Sequence, residues 1–346
     1  MKDIDIITKN AQEVVTIEEL KKVLSKDKPK GYIGFEPSGT VHLGWKICTN
    51  KIKDFLNEGF EFTVLLADWH AYINDKLDGD IDKIKLCGKY MEDCFSAMGV
   101  DTSKLSFVYA SDYVGDPNYW ELVLRTSKAT SVKRVKRAMD IMGRSEDEAE
   151  RDLSKLFYPA MQVSDIFYLD IDVAYGGMDQ RHAHMLARDV AKKINKKAPV
   201  AIHTPLLTGL QAGGRMNPSE IKMSKSKPDS MIAIHDDSES VNRKIKKAYC
   251  PEKTIEGNPI LELCKYVIFP EITEPFLIKR PEKFGGNLEF NTYEELEKEF
   301  LGDIHPLDLK TSTAEYVNNI LEPIRTYFSK NSKNIEKMKE LKIISI

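Results

Sequence analysis

Short apolar runs alternate with helical patterns through the first two-thirds of the chain, and this alternation constrains the fold more than any other feature. The runs GYIGF (31–35), FTVLLADW (62–69), LSFVYAS (105–111), DVAYGG (172–177) and PVAIHTP (199–205) predict short buried strands. Helical patterns lie between them, for example over residues 82–99. Strands separated by helices need crossovers, so the sequence predicts an α/β domain with a Rossmann-like, doubly wound parallel sheet.

Strand patterns fade after residue 237. The segments VNRKIKKAYC, NPILELCKYV, TYEELEKEF and TSTAEYVNNILEPI have helical periodicity instead. We therefore predict a sheet-containing catalytic domain over residues 1–237 and a mostly helical domain over residues 238–346. A chain of 346 residues is long enough for both.

Composition excludes several classes of protein. The 51 Lys and Arg nearly balance the 54 Asp and Glu, so any contact with nucleic acid must use a local basic face. The five cysteines are odd in number and lack CxxC spacing, which argues against disulfides or a zinc site and for a reducing compartment. No apolar run is long enough to span a bilayer. We expect a cytoplasmic protein without a membrane contact or a protein-bound metal.

The segment YIGFEPSGTVHLGWK (32–46) has the pattern of a phosphate site. A strand and a turn precede a helical stretch, and helix N-termini bind phosphates. Gly44 would let a ligand approach the backbone, and His42 would supply a donor. Taken alone, each residue favours a structural role, Gly44 in packing and His42 in a turn or a helix cap. A GxGxxG pattern is missing, which disfavours a dinucleotide.

A second segment, KMSKS (222–226), places Lys222 and Lys225 beside the hydroxyls of Ser224 and Ser226. It is either a solvated basic turn or a clamp for a polyphosphate. Glycines and prolines in the preceding AGGRMNPSE suit a segment that moves.

A polar stripe interrupts the apolar segment FYPAMQVSDIFYL. Tyr158, Gln162 and Asp165 are spaced i, i+4 and i+7, so they share one face of a helix. Buried polar groups need partners. The partner is either a ligand or a neighbouring helix.

Together, the two short segments resemble the signatures of class I aminoacyl-tRNA synthetases. HLGW resembles HIGH, with Trp45 at the second histidine, and KMSKS matches the other signature letter for letter. Over nearly its whole length the chain resembles tyrosyl-tRNA synthetases of the archaeal and eukaryotic type. The resemblance rests on YIGFEPSG, LLADWHAY, YPAMQVSDIFYL, GGMDQRHAHMLAR, AYCPEKTIEGNP, IKRPEKFGG and HPLDLK. The stretch between LLTGL and KMSKS is longer than the resemblance to this family leads us to expect.

The resemblance implies attack of the tyrosine carboxylate on the α-phosphorus of ATP, followed by transfer of tyrosine to tRNA(Tyr). The nucleophile is already ionised, so the protein must position the reactants and stabilise phosphate charge. ATP would enter with Mg2+, without an organic cofactor. The implied catalytic residues are His42, Lys222, Ser224 and Lys225.

The resemblance also implies two subsites. Tyr32 and Asp165 would bind the phenol of tyrosine, and Tyr158, Gln162 and Gln180 its ammonium group. The ATP site would be lined by Gly34, Glu36, Gly44, His70, Gly177, Asp179 and Met223. Of these, His70 could instead be a core histidine, Asp179 a helix cap and Met223 plain packing.

RNA contacts are implied in both domains. Lys133, Arg134 and Arg137 would contact acceptor-stem phosphates, and Arg181 the first base pair. Phe284, His305 and Asp308 would read the anticodon by stacking and hydrogen bonding. The alternatives are a solvated basic helix, a core phenylalanine and an N-cap at Asp308. A homodimer is expected.

Three other functions stay open from the sequence. A tryptophanyl-tRNA synthetase shares the fold and both signatures, although Tyr32 with Asp165 favours tyrosine. A small-metabolite adenylyltransferase would not need the second, RNA-reading domain. A catalytically silent RNA-binding paralogue would not need the intact KMSKS.

Overall fold

The computed structural model describes residues 2–142, 152–211 and 228–344. Among these residues, six strands form one sheet in the order β1-β6-β5-β2-β3-β4. The strands are β1 (Glu13–Val15), β2 (Lys30–Phe35), β3 (Glu61–Leu66), β4 (Leu105–Tyr109), β5 (Val173–Gly177) and β6 (Val200–Thr204). The five strands predicted from the apolar runs are therefore confirmed, each within a few residues.

The sheet differs from the prediction at one edge. Strands β2 to β6 pair in parallel, but β1 runs antiparallel to β6, with Val14 opposite Ile202. The predicted doubly wound parallel sheet is therefore confirmed, and β1 is an additional antiparallel strand that the sequence pattern did not indicate. A three-residue strand has too few side chains for a recognisable alternation, and its pairing with β6 defines it.

The strand order reverses direction between β2 and β5. From β2 the chain proceeds outward through β3 and β4, whereas β5 and β6 add on the other side. Tyr32 of β2 lies opposite Ala174 of β5. In sheets of this kind the crevice for ligands lies at the carboxyl ends of the strands at such a switch point.

Helices connect and cover the strands. In the first part of the chain they are α1 (Ile4–Thr8), α2 (Ile17–Leu24), α3 (Trp45–Asn57), α4 (Asp68–Ile73), α5 (Ile81–Ala97), α6 (Pro117–Ala129), α7 (Val132–Ala138), α8 (Ser154–Tyr168) and α9 (Arg181–Ala191). Later helices are α10 (Ser238–Lys247), α11 (Pro259–Leu263), α12 (Tyr293–Phe300), α13 (Pro306–Lys330) and α14 (Lys333–Glu340). Helix α5 confirms the helix predicted over residues 82–99.

The described residues group into two compact units. One comprises Met1–Gly39, Lys51–Pro205 and Glu340–Ile343, and contains the six-stranded sheet. The other comprises Thr40–Asn50, Leu206–Lys339 and Ile344–Ile346, and is mainly helical, as predicted. It also contains a small antiparallel pair, β7 (Phe276–Ile278) with β8 (Leu288–Phe290), which the sequence pattern did not indicate. The functional division at residue 237 stays a prediction.

Helix α8 lies in the core of the sheet unit. It packs against α6 and α9, and its residues Ala160, Met161, Val163 and Ile166 are almost completely buried. Burial of this apolar side anchors the helix, because each large aliphatic side chain removed from water stabilises the fold by about 1.5–3 kcal/mol. The polar face of α8 is thereby held in one orientation.

The described residues contain neither a membrane-spanning helix nor a metal-binding cluster. None of the described helices is long and apolar enough to cross a membrane. The same part of the chain contains no group of three or more His, Cys, Asp or Glu side chains placed to hold a metal ion.

Candidate active site

The carboxyl ends of β2 and β5 bring together the residues predicted for tyrosine binding. Tyr32 of β2 is 1% exposed. Gly34 lies two residues further along β2, and a Cβ added to it would meet its nearest atom, Tyr32 Cε2, at an ordinary 3.7 Å. Packing therefore does not require a glycine at position 34. Close approach of a ligand, as predicted for ATP, would account for it.

The polar stripe of α8 faces this end of the sheet. The Tyr158 hydroxyl donates to Glu36 Oε1 at 2.6 Å, just beyond the end of β2. Asn74 Nδ2 also donates to Glu36, at 2.9 and 3.1 Å, and Lys76 Nζ lies 3.5 Å from it. Because the Tyr158 hydroxyl donates its proton to Glu36, its oxygen is oriented as an acceptor. An acceptor is what an ammonium group requires.

One helical turn further, Gln162 contacts the segment after β5. Gln162 Nε2 donates to Gln180 Oε1 at 3.0 Å. The structure thus brings together Tyr158, Gln162 and Gln180, the three residues predicted to bind the ammonium group. The helical spacing identified the first two, whereas Gln180 depended on the resemblance.

Asp165, predicted to accept the phenol, has two tyrosine partners that the sequence did not indicate. The hydroxyls of Tyr113 and Tyr119 donate to Asp165 Oδ1 at 2.8 and 2.9 Å. Asp165 is completely buried, and both tyrosines are at most 6% exposed. Hydrogen bonds to a charged group are stronger than neutral ones, so they stabilise the buried carboxylate. Nothing in the local pattern of DYVGDPNYW indicates these contacts, because α8 is distant in sequence.

His70, predicted for the ATP site, lies beside Asp165 and Tyr158. Its Nε2 is 3.1 Å from Asp165 Oδ2, a charge contact without hydrogen-bond alignment, and its ring meets the Tyr158 ring edge-on at 5.0 Å. Burial alone would lower the pKa of His70, but Asp165, and then Glu36 and Asp68, raise it above its usual value. His70 is 1% exposed, so the structure places it among the tyrosine-binding candidates.

Several buried polar atoms at this end of the sheet lack a hydrogen bond within the described part of the chain. Among the described residues, no hydrogen bond reaches Asp165 Oδ2, Gln162 Oε1 or either ring nitrogen of His70. Buried polar atoms are rarely left unpaired in native proteins. Burial, and then the charge of Asp165, also raise the pKa of the neighbouring Tyr32 phenol well above its usual range. The phenol therefore stays protonated, and this cluster fits a ligand with its own donors and acceptors.

Arg181 begins α9 and belongs to a chain of polar contacts that leads from the half-buried Glu13 to the buried His203 and His184. Its Nε donates to both carboxylate oxygens of Glu13 in β1, at 3.0 and 2.9 Å. Glu13 lies 2.9 Å from His203 Nδ1, and His203 Nε2 lies 3.0 Å from His184 Nδ1. Burial lowers the pKa of His184 to about 3, so this ring is neutral. The antiparallel edge strand thus fixes Arg181, which was predicted to contact RNA.

The remaining ATP candidates lie after β5. Gly177 is the last residue of that strand, and Asp179 and Gln180 form a short turn before α9. Gln180, and not Asp179, occupies the N-cap position of α9. The alternative of Asp179 as the cap of this helix is therefore wrong.

In the second unit, HLGW forms the predicted turn before a helix. His42 Nδ1 accepts from the Gly44 backbone N–H at 3.1 Å, and α3 begins at Trp45. A Cβ added to Gly44 would come within 2.8 Å of the His42 ring, so Gly44 makes room for that ring. With Nδ1 as acceptor, the ring proton of neutral His42 lies on Nε2, which is the donor a phosphate would need.

Trp45, which replaces the second histidine of the HIGH motif, is 7% exposed. Lys222, Met223, Ser224, Lys225 and Ser226 lie outside the described residues.

The basic residues predicted for the acceptor stem lie on α7. Ser131 caps this helix through the Arg134 backbone N–H. The Arg134 side chain forms an ion pair with Asp189 of α9 at 2.7 Å, whereas Lys133 and Arg137 are exposed. Arg134 therefore has a structural contact, and the other two residues point to solvent.

The anticodon candidates are all in the second unit. Phe284 is 60% exposed, with Lys283 Nζ 4.9 Å from the centre of its ring. The alternative of a core phenylalanine is therefore excluded. His305, and not Asp308, caps α13, because its Nδ1 accepts from the Leu307 N–H at 3.1 Å. Asp308 follows in the first turn of that helix.

Comparisons with known proteins identify the family of the chain. The family model of class I tRNA synthetases (W and Y) matches residues 24–322. The curated tyrosine–tRNA ligase of Sulfolobus acidocaldarius is 53% identical over 344 residues, 96% of this chain and 95% of the relative. The crystal structure of tyrosyl-tRNA synthetase from Aeropyrum pernix is 44% identical with a TM-score of 0.87, covering 98% and 97% of the two chains. The enzyme from Pyrococcus horikoshii, solved with L-tyrosine, is 41% identical with a TM-score of 0.89, covering 97% and 98%. The chain therefore belongs to the class I tRNA synthetases and, within them, to the tyrosine–tRNA ligases, which confirms the resemblance indicated by its two motifs.

Proposed function

We propose that this chain activates L-tyrosine with ATP to form tyrosyl-adenylate and transfers tyrosine to the terminal adenosine of tRNA(Tyr). The observation that carries the proposal is the cluster of buried polar atoms of Asp165, Gln162 and His70, at the switch point of the sheet, to which the described residues make no hydrogen bond. Relatives at more than 50% identity are tyrosine–tRNA ligases, so the tryptophanyl alternative is not supported.

The phenol end of tyrosine is bound by Asp165 and Tyr32. Asp165 Oδ1 already accepts from two tyrosine hydroxyls, so the acceptor for the substrate is Oδ2, which lies 3.1 Å from His70 Nε2 and accepts no hydrogen bond from the described residues. Phenylalanine would leave this buried oxygen unpaired, which disfavours its binding. Tyrosyl-tRNA synthetase is a standard example of such discrimination.

The ammonium end is bound by Tyr158, Gln162 and Gln180. Glu36 orients the Tyr158 hydroxyl, and Gln180 orients the Gln162 amide, leaving Gln162 Oε1 as acceptor. The carboxylate of tyrosine then attacks the α-phosphorus of ATP, and pyrophosphate leaves. No general base is needed for an ionised nucleophile, so the chemistry depends on position and on charge stabilisation.

ATP enters as its Mg2+ complex, in which the ion is bound by phosphates and water more than by protein. Gly34, Gly44, Gly177, Asp179 and Met223 contact the nucleotide, with Glu36 and His70 at the boundary between the two subsites. His42 donates from Nε2 to a phosphate. Lys222, Ser224 and Lys225 of KMSKS clamp the pyrophosphate as it leaves.

The RNA is bound by both halves of the chain, divided at residue 237. Lys133, Arg134, Arg137 and Arg181 contact the acceptor end, and Phe284, His305 and Asp308 contact the anticodon. The exposure of Phe284 and its neighbour Lys283 supports stacking on an unpaired base. We expect the protein to be cytoplasmic, because charged tRNA is used in the cytoplasm, and we expect a homodimer from the resemblance alone.

The test is tyrosine-dependent ATP–pyrophosphate exchange, measured with each of the twenty amino acids, followed by charging of tRNA(Tyr) transcript. Strong exchange with tyrosine alone is the expected result. Exchange with tryptophan would support the tryptophanyl alternative, and exchange with no amino acid would contradict the proposal.

A further inference from the structure

Two basic segments of the sheet unit come from different parts of the chain. Residues 128–138 contain five cationic side chains and no acidic one. Residues 188–197 contain five cationic side chains and one acidic one, Asp189. The whole chain has more acidic than basic residues, so this local excess of positive charge is a property of these segments.

The fold joins the two segments into one surface. Arg134 of α7 pairs with Asp189 of α9 at 2.7 Å, which also neutralises the one acidic side chain of both segments. Lys193 Nζ donates to the Ala129 carbonyl at the end of α6, at 2.9 Å. Between them is a surface cavity of about 560 Å3 that is lined by Thr130, Ser131 and Arg134 on one side and by Asp189 and Lys193 on the other. We call residues 128–137 and 192–196 the basic face.

Most cations of the basic face are available to a partner. Lys128, Lys133, Arg137, Lys192 and Lys196 are exposed, and none of them forms an ion pair with another described residue. Lys197, by contrast, pairs with the nearly buried Asp172 and stabilises the fold. Like charges brought together without counterions repel each other, so the face favours a polyanion.

We propose that Lys192 and Lys196 extend the acceptor-stem contacts of α7, so that the basic face as a whole binds the phosphodiester backbone of the RNA substrate. This inference rests on the proposed function for its partner. The hydroxyls of Thr130 and Ser131 in the cavity add neutral donors for phosphate oxygens. Such contacts position the RNA without reading its sequence, which suits a surface made of lysines.

A purely structural role for these lysines is the competing explanation. Cations near the C-terminal end of a helix are stabilised by its dipole, and Lys192 and Lys196 follow the end of α9. Lys21 and Lys22 provide a matched control, because they are exposed in the last turn of α2 within the same unit, beside Glu18 and Glu19. Both pairs should contribute equally to stability if the dipole is the reason.

The experiment compares Lys192→Ala/Lys196→Ala with Lys21→Ala/Lys22→Ala in the full-length enzyme. Charging of tRNA(Tyr) and binding of the same RNA by fluorescence anisotropy are measured from 50 to 200 mM salt. We expect the first variant to raise KM and Kd for RNA at least about threefold at low salt, and to reduce the slope of log Kd against log salt by about 1–2. Tyrosine-dependent exchange, in which RNA takes no part, checks that the enzyme is folded.

The outcomes separate the inference from the proposed function. An unchanged salt slope in Lys192→Ala/Lys196→Ala, or an equal change in the control variant, would overturn the inference while charging by the wild type continues. The wild type is also tested for binding to anionic phospholipid vesicles. If only Lys192→Ala/Lys196→Ala loses this binding, while its RNA binding is intact, the partner of the basic face is a membrane and the inference is overturned. Failure of the wild type to charge any tRNA would contradict the proposed function, and RNA binding would still test the basic face.

Discussion

The tyrosine candidates and the anticodon candidates use opposite strategies for recognition. Around Asp165, the candidate side chains are buried or half-buried, and three of them are held by another protein group: two tyrosines on the Asp165 carboxylate, Glu36 on Tyr158, and Gln180 on Gln162. Phe284 and His305 are exposed instead, and the contact of Phe284 is a lysine from the neighbouring position.

This difference follows from the two ligands. A small amino acid can be enclosed, so discrimination arises from buried atoms that the wrong ligand leaves unpaired. An RNA base must be reached from solvent, and an exposed aromatic ring provides a surface on which the base can stack. We therefore expect changes in the buried cluster to affect activation, and changes in the exposed cluster to affect only charging.

The largest effect is expected outside both clusters, at the KMSKS segment. Lys222→Ala/Lys225→Ala should slow adenylate formation by about 100-fold to 1000-fold, because the removed cations stabilise charge that develops on the pyrophosphate. Tyrosine affinity should stay within about twofold of the wild type. Single-turnover adenylation and equilibrium tyrosine binding test this prediction, and near-normal adenylation would refute the clamp.

The buried cluster is tested most sharply by Asp165→Ala. Loss of a charged acceptor costs about 1.5–3 kcal/mol, so exchange with tyrosine should fall by roughly 10-fold to 150-fold in kcat/KM. Discrimination against phenylalanine should fall with it. Tyr168→Phe is a suitable control, because this hydroxyl belongs to the same aromatic cluster but donates to Asp116. Equal losses of selectivity in both variants would mean that the cluster acts only through packing.

The sequence predicted one side of this cluster and not the other. Helical spacing showed that Tyr158, Gln162 and Asp165 share a face, and α8 confirms it. Periodicity reports which face of an element is buried but not what lies opposite. Tyr113 and Tyr119 are about 50 residues away from Asp165 in sequence, and their contacts exist only after the sheet is assembled.

The same limit explains the edge strand. Glu13–Val15 is too short for a strand pattern, yet it supplies the carboxylate that fixes Arg181 and contacts His203. Gly44 lies at the predicted turn before α3, where the His42 ring packs against its backbone. Its contact with ATP stays a prediction.

The exposed cluster predicts a smaller and more selective effect. Phe284→Ala should raise KM for full-length tRNA(Tyr) about fivefold to tenfold, at the lower end of 1–3 kcal/mol for a stacked base, and Asp308→Ala somewhat less. ATP–pyrophosphate exchange should be unchanged, as should charging of a minimal acceptor-stem RNA. Leu301→Ala removes another exposed apolar side chain of the same unit and serves as the control. A matching loss on the minimal RNA would show that Phe284 maintains the fold.

The smallest expected effect is a difference in pH dependence between two buried histidines. His70 has a pKa raised by Asp165 against the effect of burial, whereas burial lowers the pKa of His184 to about 3. A histidine with a raised pKa stabilises the folded state below the unfolded value of about 6.5, and this stabilisation is lost as the pH rises through the folded pKa. A histidine with a lowered pKa has the opposite effect on the free energy of unfolding, because it destabilises the folded state as the pH falls below about 6.5.

Relative to wild type, His70→Gln should therefore lose stability mainly at low pH, and His184→Gln should lose less at low pH than at high pH. Each slope is limited to about 1.4 kcal/mol per pH unit for one proton. Urea unfolding between pH 5.5 and 8.5 measures both, and slopes of the same sign would show that Asp165 does not hold His70 in its charged form.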